Sequence, residues 1–395
     1  MMKKYLLSGL TAILVLACGN SGIEPVKPSE GGGSSDPVTP VVVKDNWGAL
    51  ADSCTHVLVA NFLDVSKGTF WSTPNDIERS STYIYWQQAH ALDVLLYCAT
   101  RVKEKDPNRA SLYLGYADKW VTNYANTYNQ SHRGEGNYGG FFNQWTDDMA
   151  WICLTLIHLA DVSGKEEYRA TAKEVFDRYI WPRRVNSSKG TGLPWTDRDE
   201  DRNNLNACTN APSCLVAGLL YEKYKGEYLD IAKTLYNYCI ANMPDAERVE
   251  EPPLSYTQGT FGEACRKLFH LTGDKTYMDK AGQVLQYAFT SNRCTTDGLP
   301  RNEGTDMDQS LFKAVLIPYA VNYVLDTDAD ARTAQTLKEK LMLCAKSLSK
   351  HLDRTRYPRM YSDYYWGTTF SGTTASMGAQ ASGASLMEGV ARLPQ

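Results

Sequence analysis

Two adjacent carboxylates, Asp147 and Asp148, stand in Phe141-Phe142-Asn143-Gln144-Trp145-Thr146-Asp147-Asp148-Met149-Ala150-Trp151, at the start of an apolar stretch that reads as a buried helix. Acids in a first helical turn are ordinary where Thr146 serves as N-cap and the macrodipole favours negative charge. Beside a cleft the same pair does chemistry. Like charges on neighbouring residues repel, so one carboxyl keeps its proton to higher pH while the other, better served by helix amides, stays ionised. That divides the pair into a proton donor and a nucleophile. Successive helical residues place carboxyl groups about 5–6 Å apart, the separation of a retaining glycosidase; an inverting one must leave room for a water between them.

The elements that position this pair follow from an internal repeat. Gly164-x3-Tyr168-x3-Ala172, Gly226-x-Tyr228-x3-Ala232 and Gly273-x3-Tyr277-x3-Ala281 share one pattern, with a fainter copy at Tyr113-x3-Ala117. The tyrosines lie 55, 60 and 49 residues apart, a period that marks a repeated supersecondary unit. Within each copy Tyr and Ala share a helix face, and each Gly is placed to end the preceding helix. Charged, one-striped helices are predicted at 46–62, 110–128, 166–180, 226–243, 275–290 and 331–352. Less charged ones are predicted at 84–103, 147–162, 206–223, 257–272, 308–325 and 376–392. The second set must be buried and the first must cover it. Six such pairs predict an all-α fold, an (α/α)6 toroid of six inner and six outer helices, with an open solenoid as the alternative.

Long aromatic, glycine-rich connections at 129–146, 181–205, 291–307 and 354–375 precede inner helices and so open on one end of a toroid. They predict a cleft rimmed by Trp71, Trp145, Trp195, Trp366, Tyr138, Tyr361, Tyr364 and Tyr365. Such rings offer flat apolar faces with polar tips, suited to stacking on sugars.

Of 395 residues, 43% are hydrophobic and 22% charged, a globular composition. The formal charge of −4 with no basic block argues against nucleic acid as a partner. Lys3 and Lys4 precede an apolar run ending at Val15-Leu16-Ala17-Cys18, which reads as a lipoprotein signal peptide over residues 1–17 with Cys18 as the lipidated residue; a plain secretory signal is the alternative. The expected location is the outer membrane, anchored through acylated Cys18. Residues 18–45, rich in Gly, Ser and Pro, read as a flexible tether, and 46–395 as the catalytic domain. The nine other cysteines show no CxxC pairing, and most sit in apolar helical stretches as inert thiols.

Six segments together resemble glycoside hydrolase family 76, the endo-α-1,6-mannanases, from residue 46 onward. They are Tyr85-Trp86-Gln87-Gln88-Ala89-His90, Thr146-Asp147-Asp148-Met149-Ala150-Trp151, Asn206-x3-Asn210 after Pro194-Trp195, Ser255-Tyr256-Thr257-Gln258-Gly259-Thr260, Asp308-Gln309-x2-Phe312-Lys313, and Gly378-x-Gln380-Ala381. The DDMAW string is the specific one. The resemblance implies an (α/α)6 enzyme that cleaves internal α-1,6-mannosidic bonds with retention, Asp147 as nucleophile and Asp148 as acid/base. It implies substrate contacts at Trp86, Gln87, Asn143, Trp145, Trp195, Asn206, Asn210, Tyr256, Gln258, Asp308, Gln309 and Trp366, each of which could instead cap or brace its helix. Ala314, Pro318 and Ile152 depart from the family pattern and bear on subsite shape.

Other signals carry less. Gly134-x-Gly136-x2-Gly139 lacks the strand of a dinucleotide site. Asp197-x-Asp199-x-Asp201 and Asp326-x-Asp328-x-Asp330 lack the Gly and Glu of a calcium loop and read as solvated turns. The six histidines show no HxxxH spacing, so no metal site or cofactor is expected. The expected protein is a monomeric glycosidase acting on α-1,6-mannan. The alternatives are an (α/α)6 enzyme of other specificity, such as a glycuronyl hydrolase, and a non-catalytic glycan-binding lipoprotein.

Overall fold

The computed structural model describes residues 46–74, 86–131, 140–355 and 360–394. The leader, the tether, Cys18, Tyr85, Tyr138, His132 and the glycine-rich loop at 134–139 lie outside the described residues. Residues Asn46–Gln395 form one compact unit.

Twelve α-helices are described: α1 (Trp47–Phe62), α2 (Trp86–Val102), α3 (Pro107–Ser131), α4 (Thr146–Ser163), α5 (Glu166–Val175), α6 (Ala207–Tyr224), α7 (Tyr228–Asn242), α8 (Ser255–Thr272), α9 (Lys275–Thr290), α10 (Phe312–Leu325), α11 (Ala331–His351) and α12 (Met377–Ala391). The even-numbered helices form the inner ring. Each packs against the next, and α12 packs back against α2, so the ring closes as an (α/α)6 toroid.

Burial separates the two rings as hydrophobic pattern requires. Every residue of α12 from Met377 to Val390 is buried. In α11 the buried residues are Leu337, Leu341, Cys344, Ala345 and Leu348, a single stripe at helical spacing. Inner helices pass close to one another: a Cβ on Gly259 of α8 would stand 2.7 Å from the Leu316 Cα of α10. Only a missing side chain allows that approach.

The repeat glycines do what their positions demand. Gly164 and Gly273 end α4 and α8 at φ 73° and 74°, in the left-handed region a Cβ disfavours. The repeat tyrosines brace successive outer elements: the hydroxyls of Tyr168 and Tyr228 donate to Asp118 of α3 and to Asp177 just after α5. The element predicted at 166–180 ends as an α-helix at Val175, continues as one π turn to Ile180, and closes with a 3-10 turn at Trp181–Arg183, where Pro182 takes a first-turn position that needs no N–H.

Helix hairpins run tightly from inner to outer member, and α1 packs chiefly on α12. This seam is bolted by charge. Buried Glu388 of α12 accepts from Arg101 Nε of α2 at 2.6 Å and from Thr55 Oγ1 of α1 at 2.7 Å, while Arg101 also reaches Asp52 of α1 at 2.7 Å. The long connections run from outer to inner helices. Three carry antiparallel hairpins the periodicity does not predict: β1 (Leu63–Asp64) with β2 (Thr69–Phe70), β3 (Val185–Ser187) with β4 (Gly190–Gly192), and β5 (Thr295–Thr296) with β6 (Leu299–Pro300). No described helix is long and apolar enough to cross a membrane.

Candidate active site

Asp147 and Asp148 occupy the first turn of α4. Thr146 is not the N-cap: Trp145 holds that position without a side-chain bond, and Thr146 Oγ1 instead accepts from Arg183 Nη1 at 3.1 Å. Arg183 also donates to the carbonyls of Gln144 (2.7 Å) and Asn143 (2.9 Å) and to Asp197 (3.1 Å). One guanidinium, with five donors in a rigid fork, thus ties the segment before the acid pair to the next long connection. The two segments also pair directly, Thr146 N–H to Trp195 carbonyl at 2.8 Å and Asp197 N–H to Gln144 carbonyl at 3.2 Å.

That pairing sets Trp195 over the acid pair. Its indole Nε1 donates to Asp147 Oδ2 at 3.0 Å, and the Cys208 thiol approaches the same oxygen at 3.6 Å. Asn143 Nδ2 donates to Asp148 Oδ2 at 3.0 Å. Both aspartates are half-buried. Burial lifts the Asp147 carboxyl to about 6, held from rising further by Trp195, first-turn amides and Cys208. Asp148 is driven well above the ordinary carboxylate range, first by burial and then by the charge of Asp147; Asn143 pulls the other way, and Asp308 adds to the rise. The pair is therefore split: Asp147 is the member that ionises more readily, and Asp148 is the one that keeps its proton to higher pH.

Asp147 lines a cavity of about 240 Å³ together with Trp86, Trp151, Trp195, Asn204, Asn206, Cys208, Tyr256, Asp308 and Phe312. These come from the N-terminal ends of α2, α4, α6, α8 and α10 and the connections before them, as a closed ring of parallel inner helices dictates. Trp86 Nε1 donates to Asp308 Oδ1 at 2.9 Å, and Gln87 Nε2 donates to the same atom. Tyr256 stacks on Phe312 at 4.1 Å between ring centroids, with Trp86 and Trp151 6.1 and 5.8 Å from Tyr256. Flat aromatic faces beside a carboxylate pair suit a pyranose ring.

The structure thus brings together Trp86, Trp195, Asn206, Tyr256 and Asp308 around Asp147, with Gln87 beside Asp308 and Asn143 on Asp148. Other predicted contacts are not at the cavity. Asn210 is fully buried, its amide tied to both backbone groups of Leu193 and to the Asn206 carbonyl, so it braces a connection. Gln258 is equally buried and binds the backbone of Val249, Glu247 and Val284. Gln309 turns its amide to the Glu303 carbonyl and Asp306. Trp366 is fully buried under the Lys313 ammonium, 5.6 Å from its ring, and Tyr361 is also core. A large ring gains more from burial than from a rim position, and polar inner-helix groups are consumed by backbone that would otherwise go unpaired. Trp145 stays half-buried beneath Arg198.

Sequence reasoning did not single out Trp151, Phe312, Cys208 or Asn204. Trp151 was within reach, since it lies four residues after Asp147 and so on the same helix face, whereas Phe312 opens α10 and Asp308 lies before it. Cys208 and Asn204 carry no such signal. One acidic turn is corrected: Asp326 is not solvated but accepts from Arg266 Nη1 at 2.7 Å and lies 2.6 Å from His270 Nε2. Its carboxylate, with His270 and Asp328, forms the one group of potential metal ligands among the described residues, and Arg266 already neutralises it. All nine described cysteines are free.

The sequence matches Glycosyl hydrolase family 76 over residues 51–392. Among solved structures, the α-1,6-mannanase GH76A of Salegentibacter sp. HEL1_6 superposes with a TM-score of 0.74 at 23% identity, covering 88% of this chain and 99% of that one. An inactive variant of that enzyme with two adjacent aspartates changed to asparagine, in complex with α-1,6-mannotriose, matches at TM-score 0.74 and 22% identity, again over 88% and 99%. Dfg5 from Chaetomium thermophilum, in complex with glucosamine, matches at TM-score 0.69 and 15% identity, over 89% and 91%. A comparison with curated proteins finds no match.

Proposed function

Within glycosyl hydrolase family 76, to which this chain belongs, we propose that it is a retaining glycoside hydrolase cleaving internal α-1,6-mannosidic linkages of mannan backbones. The observation that carries this is the adjacent acid pair in the first turn of α4, each carboxyl raised by burial and Asp148 raised further by the charge of Asp147, beside an aromatic-walled cavity. Relatives of the same fold crystallised with α-1,6-manno-oligosaccharides support the substrate.

In this reading the Asp147 carboxylate forms a bond to the anomeric carbon as the glycosidic C–O bond breaks. The leaving oxygen takes the bond's electron pair and the Asp148 proton. Asp148, now ionised, then removes a proton from water, whose oxygen displaces Asp147 from the sugar. Trp86, Trp195 and Tyr256 supply stacking faces, backed by the buried rings of Trp151 and Phe312, and Gln87, Asn206 and Asp308 supply polar contacts. The two aspartates provide nucleophile and proton source from the chain itself. The leader and Cys18 support a further part of the proposal, an acylated monomer tethered to the outer membrane by residues 18–45.

The test is thin-layer chromatography of products from debranched α-1,6-mannan, using the form lacking residues 1–33 beside Asp147→Asn and Asp148→Asn. A ladder of manno-oligosaccharides, abolished by either substitution and released first as the α-anomer by proton NMR, is expected. No product, with retardation in a mannan affinity gel, would make the protein a binder on a hydrolase fold. Replacing Cys18 by Ala in the full chain should move the protein from the membrane fraction to the soluble one.

A further inference from the structure

Among the nine described cysteines Cys208 stands apart. The others are buried, seven of them on helices and Cys294 in the turn after α9, whereas Cys208 is half-exposed and lines the cavity that holds Asp147. Its sulfur lies 3.6 Å from Asp147 Oδ2, the oxygen that also takes the Trp195 indole N–H at 3.0 Å, and it faces the Tyr256 hydroxyl on the other side. A side chain chosen for packing alone has no reason to sit between the ring that walls the cavity and the carboxylate at its floor. We infer that Cys208 is a positioning residue for the glycosidase reaction, its S–H acting with the Trp195 N–H to fix the rotamer of Asp147 and to favour its ionised form.

The inference rests on the proposed reading of Asp147 as nucleophile. Its physical content is a division of donors. Asp147 Oδ1 is buried without a side-chain partner, so apart from the first-turn amides of Asp147 and Asp148 the carboxylate is oriented by what reaches Oδ2. Trp195 approaches from the 184–206 connection and Cys208 from the first turn of α6, two elements that fix the oxygen from different directions. A donor to the ionised form lowers a carboxyl pKa. The titratable groups that act on the pair or on the thiol include Asp148 on α4, Tyr256 on α8, Asp308 before α10 and Glu250 before α8, all of them acidic, while the nearby Arg183 guanidinium bonds Thr146 Oγ1 and the Asn143 and Gln144 carbonyls. The donors reaching Asp147 Oδ2 itself are the neutral ones of Trp195 and Cys208. The thiol pays in its own acidity: burial, then the charges of Asp147 and Glu250, push it well above the ordinary cysteine value.

Two measurements on the full chain in detergent test this. In the first, kcat and KM on α-1,6-manno-oligosaccharides are followed against pH for Cys208→Ala and Cys208→Ser. Cys208→Ala should lower kcat several-fold with KM within about twofold of native, and should move the acid limb of kcat/KM to higher pH, while Cys208→Ser, whose hydroxyl donates to the same oxygen, returns both toward native. A native profile in Cys208→Ala overturns the inference. The second measurement needs no glycosidase activity: the rate at which iodoacetamide alkylates Cys208, read by peptide mass spectrometry, in the native chain and in Asp147→Asn. Removing a charge next to the thiol should speed alkylation about tenfold near pH 8. Equal rates would show that the two groups do not interact. Absence of product from the native chain would instead overturn the glycosidase reading and leave the alkylation contrast to decide the contact.

Discussion

The indole N–H of Trp195 donates to Asp147 Oδ2 across 3.0 Å, joining residues 48 positions apart in the chain. A hydrogen bond to a charged acceptor contributes about 1.5–3 kcal/mol, so this one opposes much of the burial that raises Asp147. Trp195→Phe keeps the ring and removes the donor. The expected result is an acid limb of kcat/KM shifted up by about one pH unit, with roughly fivefold lower activity near pH 6 and near-native activity where Asp147 is fully ionised. Stopped assays across pH on manno-oligosaccharides measure it, and an unmoved limb would remove Trp195 from the electrostatics of the pair.

The native pH profile follows from the same two groups. In the proposed mechanism Asp147 acts ionised and Asp148 protonated, so kcat/KM should rise with pH through about 6 and fall where Asp148 loses its proton, well above the ordinary carboxylate range. Asn143 favours the ionised form of Asp148 by donating to it at 3.0 Å. Asn143→Ala should therefore carry the alkaline limb to still higher pH. A shift to lower pH would contradict the assignment of that limb to Asp148.

Carboxyls raised by burial make the site costly to the fold. Between 3.8 and about 6 the folded chain holds a proton on Asp147 that the unfolded chain has released. Stability therefore falls as pH rises through that window; the penalty is absent below it and complete above it. Asp147→Asn should stabilise the protein by up to about 3 kcal/mol near pH 8 and by almost nothing near pH 3.5. Urea unfolding at the two pH values is the measurement, and equal gains at both would mean that the aspartate is not held out of water.

The seam of the ring makes a separate prediction. Glu388 joins α12 to α1 and α2 through Thr55 and Arg101. Glu388→Ala leaves the Arg101 guanidinium with an uncompensated share of buried charge, which costs about 3–5 kcal/mol. Thermal unfolding should show the loss, and hydrogen exchange should place it first in α1 and α12. A loss below about 1 kcal/mol would mean that packing alone closes the ring.

Much of the architecture was legible because its determinants are local. Helix lengths, the alternation of one-striped and fully apolar helices and the glycines that end α4 and α8 are all properties of segments shorter than thirty residues. Asp147 and Asp148 were legible for a similar reason, as two acids at the head of a buried helix. The hairpins within the connections were not legible, since strands of two or three residues carry no period to detect.

What the sequence by itself determined, then, is the set of helices, their inner or outer station and the place of two adjacent acids at the head of a buried helix, because side-chain pattern and local capping depend on near neighbours. Only the tertiary structure decided which polar and aromatic residues meet at that pair. Trp195, Tyr256, Asp308 and Cys208 reach the cavity while Asn210, Gln258, Gln309 and Trp366 are spent on bracing and core. The physical reason is competition for partners. A buried backbone group must be paired and a large ring gains by burial, and whether a given side chain meets those demands or stays free for a ligand depends on what the closed ring places beside it.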